Sequence, residues 1–123
     1  MVRDIEIKLV NRDGRTVLSF VKRAYCDDDG VCTSDDWDVA VKPRSEKMLM
    51  HERPQKTQTP DRYLKQLPDG RRVLQLAGLT LRWGKVTPVL DRLAKKLTWV
   101  PRGEHAYGTR TLTVDELREH VGS

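Results

Sequence analysis

The chain has 123 residues, 37% hydrophobic and 33% charged, with a formal net charge of +5 and two cysteines; that composition suits one domain with a modest core and a heavily solvated surface. Its apolar residues are grouped and periodic, which separates it from a disordered chain. The longest apolar-leaning stretch, Val73 to Leu81, carries Gln75 and Thr80 and is too short to span a bilayer, and Met1-Val2-Arg3-Asp4 lacks the apolar core of a secretion signal.

The start reads as a β-hairpin. Ile5, Ile7 and Leu9 alternate with Asp4, Glu6 and Lys8, the two-residue period of a half-buried strand. Asn11-Arg12-Asp13-Gly14 makes a turn. Thr16 to Tyr25 returns, rich in β-branched and aromatic residues. Val17 and Val21 lie on one of its faces and Leu18 and Phe20 on the other, so this strand is expected to be central or covered on both sides.

The next segment, residues 27–38, is an acidic loop with six aspartates and no cation. Cys26 and Cys32 bracket its first half. Two reduced thiols are the favoured reading, with a loop-closing disulfide or a metal site as alternatives. Asp27-Asp28-Asp29-Gly30 fails the calcium-loop pattern at one end, where the first ligand position falls on Tyr25, and matches it inexactly at the other, where Asp36 stands in place of Glu. A solvated acidic loop is therefore the favoured reading over a divalent site. A third reading has the aspartates imitate phosphate spacing or dock on a basic face, including this protein's own. Trp37, Val39 and Val41 alternate as a third strand, which Pro43 ends.

Residues 44–60 read as an extended arm or flexible loop, polar and proline-punctuated. Only Met48, Leu49 and Met50 interrupt it, an apolar plug suited to docking on a partner or folding back on the core. Asp61 to Leu67 has the spacing of a short helix stopped by Pro68. Beyond the Asp69-Gly70 turn, Arg72 to Trp83 is the strongest β stretch. Its apolar phase flips at Ala77-Gly78, which favours a bulge over a tight turn.

Thr87-Pro88 opens the clearest amphipathic helix, expected over about 87–97 with Val89, Leu90, Leu93, Ala94 and Leu97 as its stripe. Arg92, Lys95 and Lys96 fall on its wet side. Thr98 to Val100 is extended up to Pro101, and Tyr107 to Leu112 forms a last strand. Thr113 and Glu116 make a capping box for a short C-terminal helix. The sum is an α+β domain with a mostly antiparallel sheet.

Residues 39–111 hold sixteen Lys or Arg against six Asp or Glu. Such an excess attracts polyanions, and it directs the functional reading to nucleic acid, DNA or RNA. The expected contacts are Arg71, Arg72, Arg82, Lys85, Arg92, Lys95, Lys96 and Arg102, with Trp83, Trp99 and Tyr107 as candidate stacking rings, although both tryptophans also fit core positions. The alternative is a protein-interaction or assembly module, a viral structural subunit or a small inhibitor of a host complex. It would dock through the arm (Met48, Leu49, Met50) and the acidic loop (Asp27, Asp28, Asp29). Self-association through an exposed strand edge belongs to the same class. Catalysis is not expected: phosphate-binding glycine loops and nucleophile elbows are absent, and aspartates beside Cys26 oppose a reactive thiolate. The sequence thus implies no cofactor, no membrane partner and no metal ligand set, in a cytoplasmic or virion-associated protein.

Overall fold

A computed structural model describes residues 1–40, 63–76 and 78–122. The arm expected over 44–60, with Met48, Leu49 and Met50, lies outside these residues. Nine strands are described: β1 (Val2–Val10), β2 (Thr16–Cys26), β3 (Cys32–Ser34), β4 (Asp38–Ala40), β5 (Leu64–Gln66), β6 (Arg72–Leu76), β7 (Leu79–Arg82), β8 (Thr98–Arg102) and β9 (His105–Thr113). Two helices are described with them, α1 (Trp83–Leu93) and α2 (Val114–Val121). The class is α+β, and among the described strands every pair is antiparallel except β1 with β9.

The strands form two sheets. The larger runs β3-β2-β1-β9-β8, with β4 also paired to β2; the smaller runs β5-β6-β7. One face of the larger sheet follows from the alternation in β1. Ile5, Ile7 and Leu9, with Leu18 and Phe20 of β2 and Leu112 of β9, pack against Val86, Val89 and Leu90 of α1, Leu117 of α2, and Leu74, Leu76 and Leu81 of the smaller sheet. Each fully buried Leu, Ile or Phe contributes roughly 1.5–3 kcal/mol, so this single cluster dominates stability. Thr113 caps α2 with the expected reciprocal bonds to Glu116, and Leu112 and Leu117 are fully buried beside that cap.

The opposite face of β1 is unusual, because its alternate residues are carboxylates with no exposed surface, Asp4 and Glu6. Arg23, opposite Asp4 in the β1–β2 register, donates from Nε and Nη2 to the two Asp4 oxygens at 2.5 and 3.0 Å. Tyr107 of β9 donates its hydroxyl to Glu6 Oε1 at 2.7 Å. Burial works against the Arg23 charge, but the hydrogen bond and charge of Asp4, then Tyr25, outweigh it and hold the guanidinium above its usual pKa. Bidentate pairing of this kind is the geometry that compensates a desolvated carboxylate.

Several expectations are corrected by pairing between distant residues. Residues 64–66 are a strand, not part of a helix over 61–67, because the Asp69-Gly70 turn folds them onto β6 with Leu64 opposite Leu74. Ala77 lies outside the described residues, but the apolar phase flips through a tight turn, not a bulge: Leu76 faces Leu79, and Gly78 supplies the left-handed φ of 74° that the reversal needs. The helix expected over 87–97 spans 83–93 instead, with Arg82 as N-cap and Pro88 inside it. Burial of Trp83 and Val86 against the core sustains that earlier turn, despite the hydrogen bond a mid-helix proline removes. The 27–38 loop contains β3 and begins β4. Cys26 and Cys32 face each other across β2 and β3 and are joined as a disulfide, not left as two reduced thiols. Pro101 lies within β8 without ending it, since β8 is a sheet edge where a missing N–H breaks no ladder bond. Gly108 is required by packing: a Cβ there would come within 2.8 Å of Trp99 Cζ3 and 2.9 Å of Leu97 Cδ1. Among the described residues no helix is long and apolar enough to cross a membrane.

Two outcomes follow. Asp4→Asn keeps the shape but leaves Arg23 short of its counter-ion, and is expected to cost about 3 kcal/mol, the scale of breaking a buried pair. Urea unfolding would read this as a lower midpoint, and a loss under about 0.5 kcal/mol, that of an ordinary surface change, would show that the pair does not hold the sheet. Replacing Cys26 and Cys32 together by Ser opens a short loop and is expected to cost about 2 kcal/mol, measured the same way; unchanged stability would mean the bridge is dispensable.

Candidate functional site

Four cations separated in sequence meet in one place. Arg71 and Arg72 come from the turn into β6, Arg82 from the end of β7 and Lys85 from the first turn of α1. Together they line a groove of ≈ 760 Å³. The convergence has local causes. The Leu67-to-Arg71 turn is closed by Gly70 N–H to Leu67 O at 2.9 Å and Leu67 N–H to Arg71 O at 2.7 Å. Antiparallel register then puts Arg82 opposite Val73, next to Arg72. Because β7 runs straight into α1, Lys85 follows only three residues later.

The wall between these cations is mostly apolar, with Leu67, Val73 and Trp83 contributing. Trp83 is 5% exposed, and the Arg72 guanidinium lies over its ring, 6.0 Å from the centroid, within reach of a cation–π attraction. Among the described residues, Arg71 is the one groove cation with an acidic partner. Its Nε donates to Asp69 at 2.7 Å, and its backbone N–H donates to the same carboxyl at 3.0 Å. The backbone bond first, then the guanidinium, hold the Asp69 carboxyl below its usual range. Asp69 is therefore charged at neutral pH and offsets Arg71. Among the described residues no ion pair joins Arg72, Arg82 or Lys85 to a carboxylate.

Helix α1 opens on this groove. Its first turn has no acidic residue and its N-cap makes no side-chain bond, so the positive end of the helix dipole adds to the field of the cations. Cations at that end oppose the usual charge preference of a helix, and an anion in the groove relieves the repulsion.

The other expected contacts are placed differently. Arg92, Lys95 and Lys96 are exposed. Lys85 and Arg92 are seven residues apart, two helical turns, hence on one side of α1 and about 10 Å apart along its axis. Lys95 and Lys96 lie in the turn after α1, held by Lys96 N–H to Leu93 O at 3.1 Å. Arg102 ends β8, in the larger sheet. Tyr107 is buried with its hydroxyl committed to Glu6 and is not a stacking ring. Trp99 is 36% exposed with Arg3 over its ring at 5.4 Å, on the edge strand away from the groove lining.

The acidic loop forms a turn of its own. Asp27 Oδ1 accepts the N–H groups of Asp29 at 3.0 Å and Val31 at 2.9 Å, so that carboxylate shapes the β2–β3 connection. Asp28 and Asp29 are exposed at its tip, and among the described residues none of the three pairs with a groove cation. Nor do the described residues gather three or more His, Cys, Asp or Glu side chains that could hold a metal ion.

A second, smaller concavity of ≈ 440 Å³ sits beside the β1–β2 turn and the start of α2. Arg12 there is paired to Asp115 at 3.0 Å, and Arg118 also lines it. Sequence reasoning missed Leu67, Val73 and Thr80 as groove walls. The signal that could have found them is Gly78: a turn there, once chosen over a bulge, brings Arg82 back beside Arg72. Compared with known proteins, the chain matches no family model, no curated protein and no solved structure.

Proposed function

We propose that this chain is a small non-enzymatic binding protein whose basic groove engages nucleic acid. The observation that carries the reading is the meeting of Arg71, Arg72, Arg82 and Lys85, from three elements, on one concave and mostly apolar surface. Guanidinium groups supply bidentate partners for phosphate oxygens, while the apolar wall accepts the faces of bases. Among the described residues the lining offers cations and apolar surface in place of a carboxylate or imidazole that could move a proton. That arrangement favours binding over catalysis. Arg92, Lys95 and Lys96 extend the positive surface along and beyond α1, where they act as further backbone contacts.

Fluorescence anisotropy with a labelled oligonucleotide tests this. Binding is expected at low salt, weakening with a log–log slope of about −3 if four phosphates are neutralised. Changing Arg71, Arg72, Arg82 and Lys85 together to Glu is expected to abolish binding. All four are exposed, so the variant is expected to keep its fold, read as an unchanged circular dichroism spectrum and a cooperative melt, while binding is lost. No binding to DNA or RNA at low salt, or undiminished binding by the variant, rejects the proposal.

A further inference from the structure

We infer that the groove selects single-stranded nucleic acid over duplex, by taking an unpaired base against its apolar wall while the surrounding cations hold the adjoining phosphates; this rests on the nucleic-acid reading above. Three observations point the same way. The cations stand around a concavity, with Leu67, Val73 and Trp83 between them; they do not cover a flat or convex face. A duplex presents phosphates on the outside of a cylinder and keeps its base faces stacked inside, so it gains nothing from an apolar recess. A single strand offers both groups at once, a charged backbone and an accessible ring, which is the combination that stacking platforms in basic channels exploit.

Size is the second observation. A volume of ≈ 760 Å³ falls in the range of roughly 300–1,000 Å³ typical of sites that enclose a small organic group. It fits a nucleotide or two, and is too small to admit a double helix.

The third is preorganisation. The Arg72 guanidinium is already set over the Trp83 ring at 6.0 Å. Arg71 is steered by Asp69 through its backbone N–H and Nε. These side chains are held near one geometry before ligand arrives, which lowers the ordering cost of binding. Thr80 lies on β7 in the groove lining and is exposed, so a bulky residue there fills the recess without altering charge or core.

The experiment compares Thr80→Trp with the unchanged protein on a labelled 12-mer of mixed sequence, about three times the smallest single-strand site of about four nucleotides, as single strand and as duplex, at fixed low salt. The unchanged protein is expected to bind the single strand about tenfold more tightly. Thr80→Trp is expected to retain duplex binding within a factor of about two, because the cations remain, and to lose the single-strand preference. A thermal melt confirms that the variant is folded; should it not be, Thr80→Phe and Thr80→Leu provide graded filling with the same expected order. Equal or tighter duplex binding by the unchanged protein overturns the inference while leaving the nucleic-acid reading intact, as does a Thr80→Trp preference equal to that of the unchanged protein. Failure to bind either form at low salt overturns both.

Discussion

Burial of two carboxylates on β1 is the constraint on which the larger sheet depends. Desolvating Asp4 and Glu6 costs several kcal/mol each unless partners are supplied in good geometry, and both are without exposed surface. Arg23 on β2 pairs with Asp4, and Tyr107 on β9 donates to Glu6. The partners come from the two strands that flank β1, one antiparallel and one parallel. A one-residue slip of β1 against β2 would turn the carboxylates toward the core face that Leu18 and Phe20 occupy and take Asp4 from its place opposite Arg23, so the polar face specifies register where the apolar face supplies stability.

The apolar face then decides where everything else goes. The short strands β5, β6 and β7 contribute Leu64, Leu74, Leu76 and Leu81 to the same cluster as Ile7 and Phe20, although they form a separate sheet. Helix α1 buries Val86, Val89, Leu90 and Leu93 on the same side. Its orientation is tied down further by Asp91, which accepts from Trp37 Nε1 at 2.7 Å and Lys22 Nζ at 3.2 Å. With these anchors inside, the cations of the β5–β6 turn and the β7–α1 junction are left on the outer rim. The groove is a by-product of packing: a turn, a strand end and a helix start meet at one end of the small sheet because their apolar neighbours are claimed by the core.

Much of the local structure was legible. The alternation of Ile5, Ile7 and Leu9 marks a strand, Asn11 to Gly14 a turn, and Thr113 with Glu116 a helix start, because each depends on contacts within a few residues. The misreadings share one cause. Residues 64–66 have helical spacing but pair with β6, and Thr87-Pro88 resembles a helix start although burial of Trp83 and Val86 lets the helix begin four residues earlier, at Trp83. In both cases contacts distant in sequence override local preference.

The sequence by itself determined the α+β class, a mostly antiparallel pairing and the positive excess over residues 39–111, since composition and short-range periodicity need no knowledge of distant partners. Tertiary structure alone decided that the strands divide into two sheets, that β1 lies parallel to β9, that Cys26 meets Cys32, and that Arg71, Arg72, Arg82 and Lys85 share one groove while Arg102 ends a strand of the other sheet. The physical reason is that charge and polarity are properties of single residues, whereas a concave surface exists only once strands far apart along the chain have paired and buried their apolar sides together.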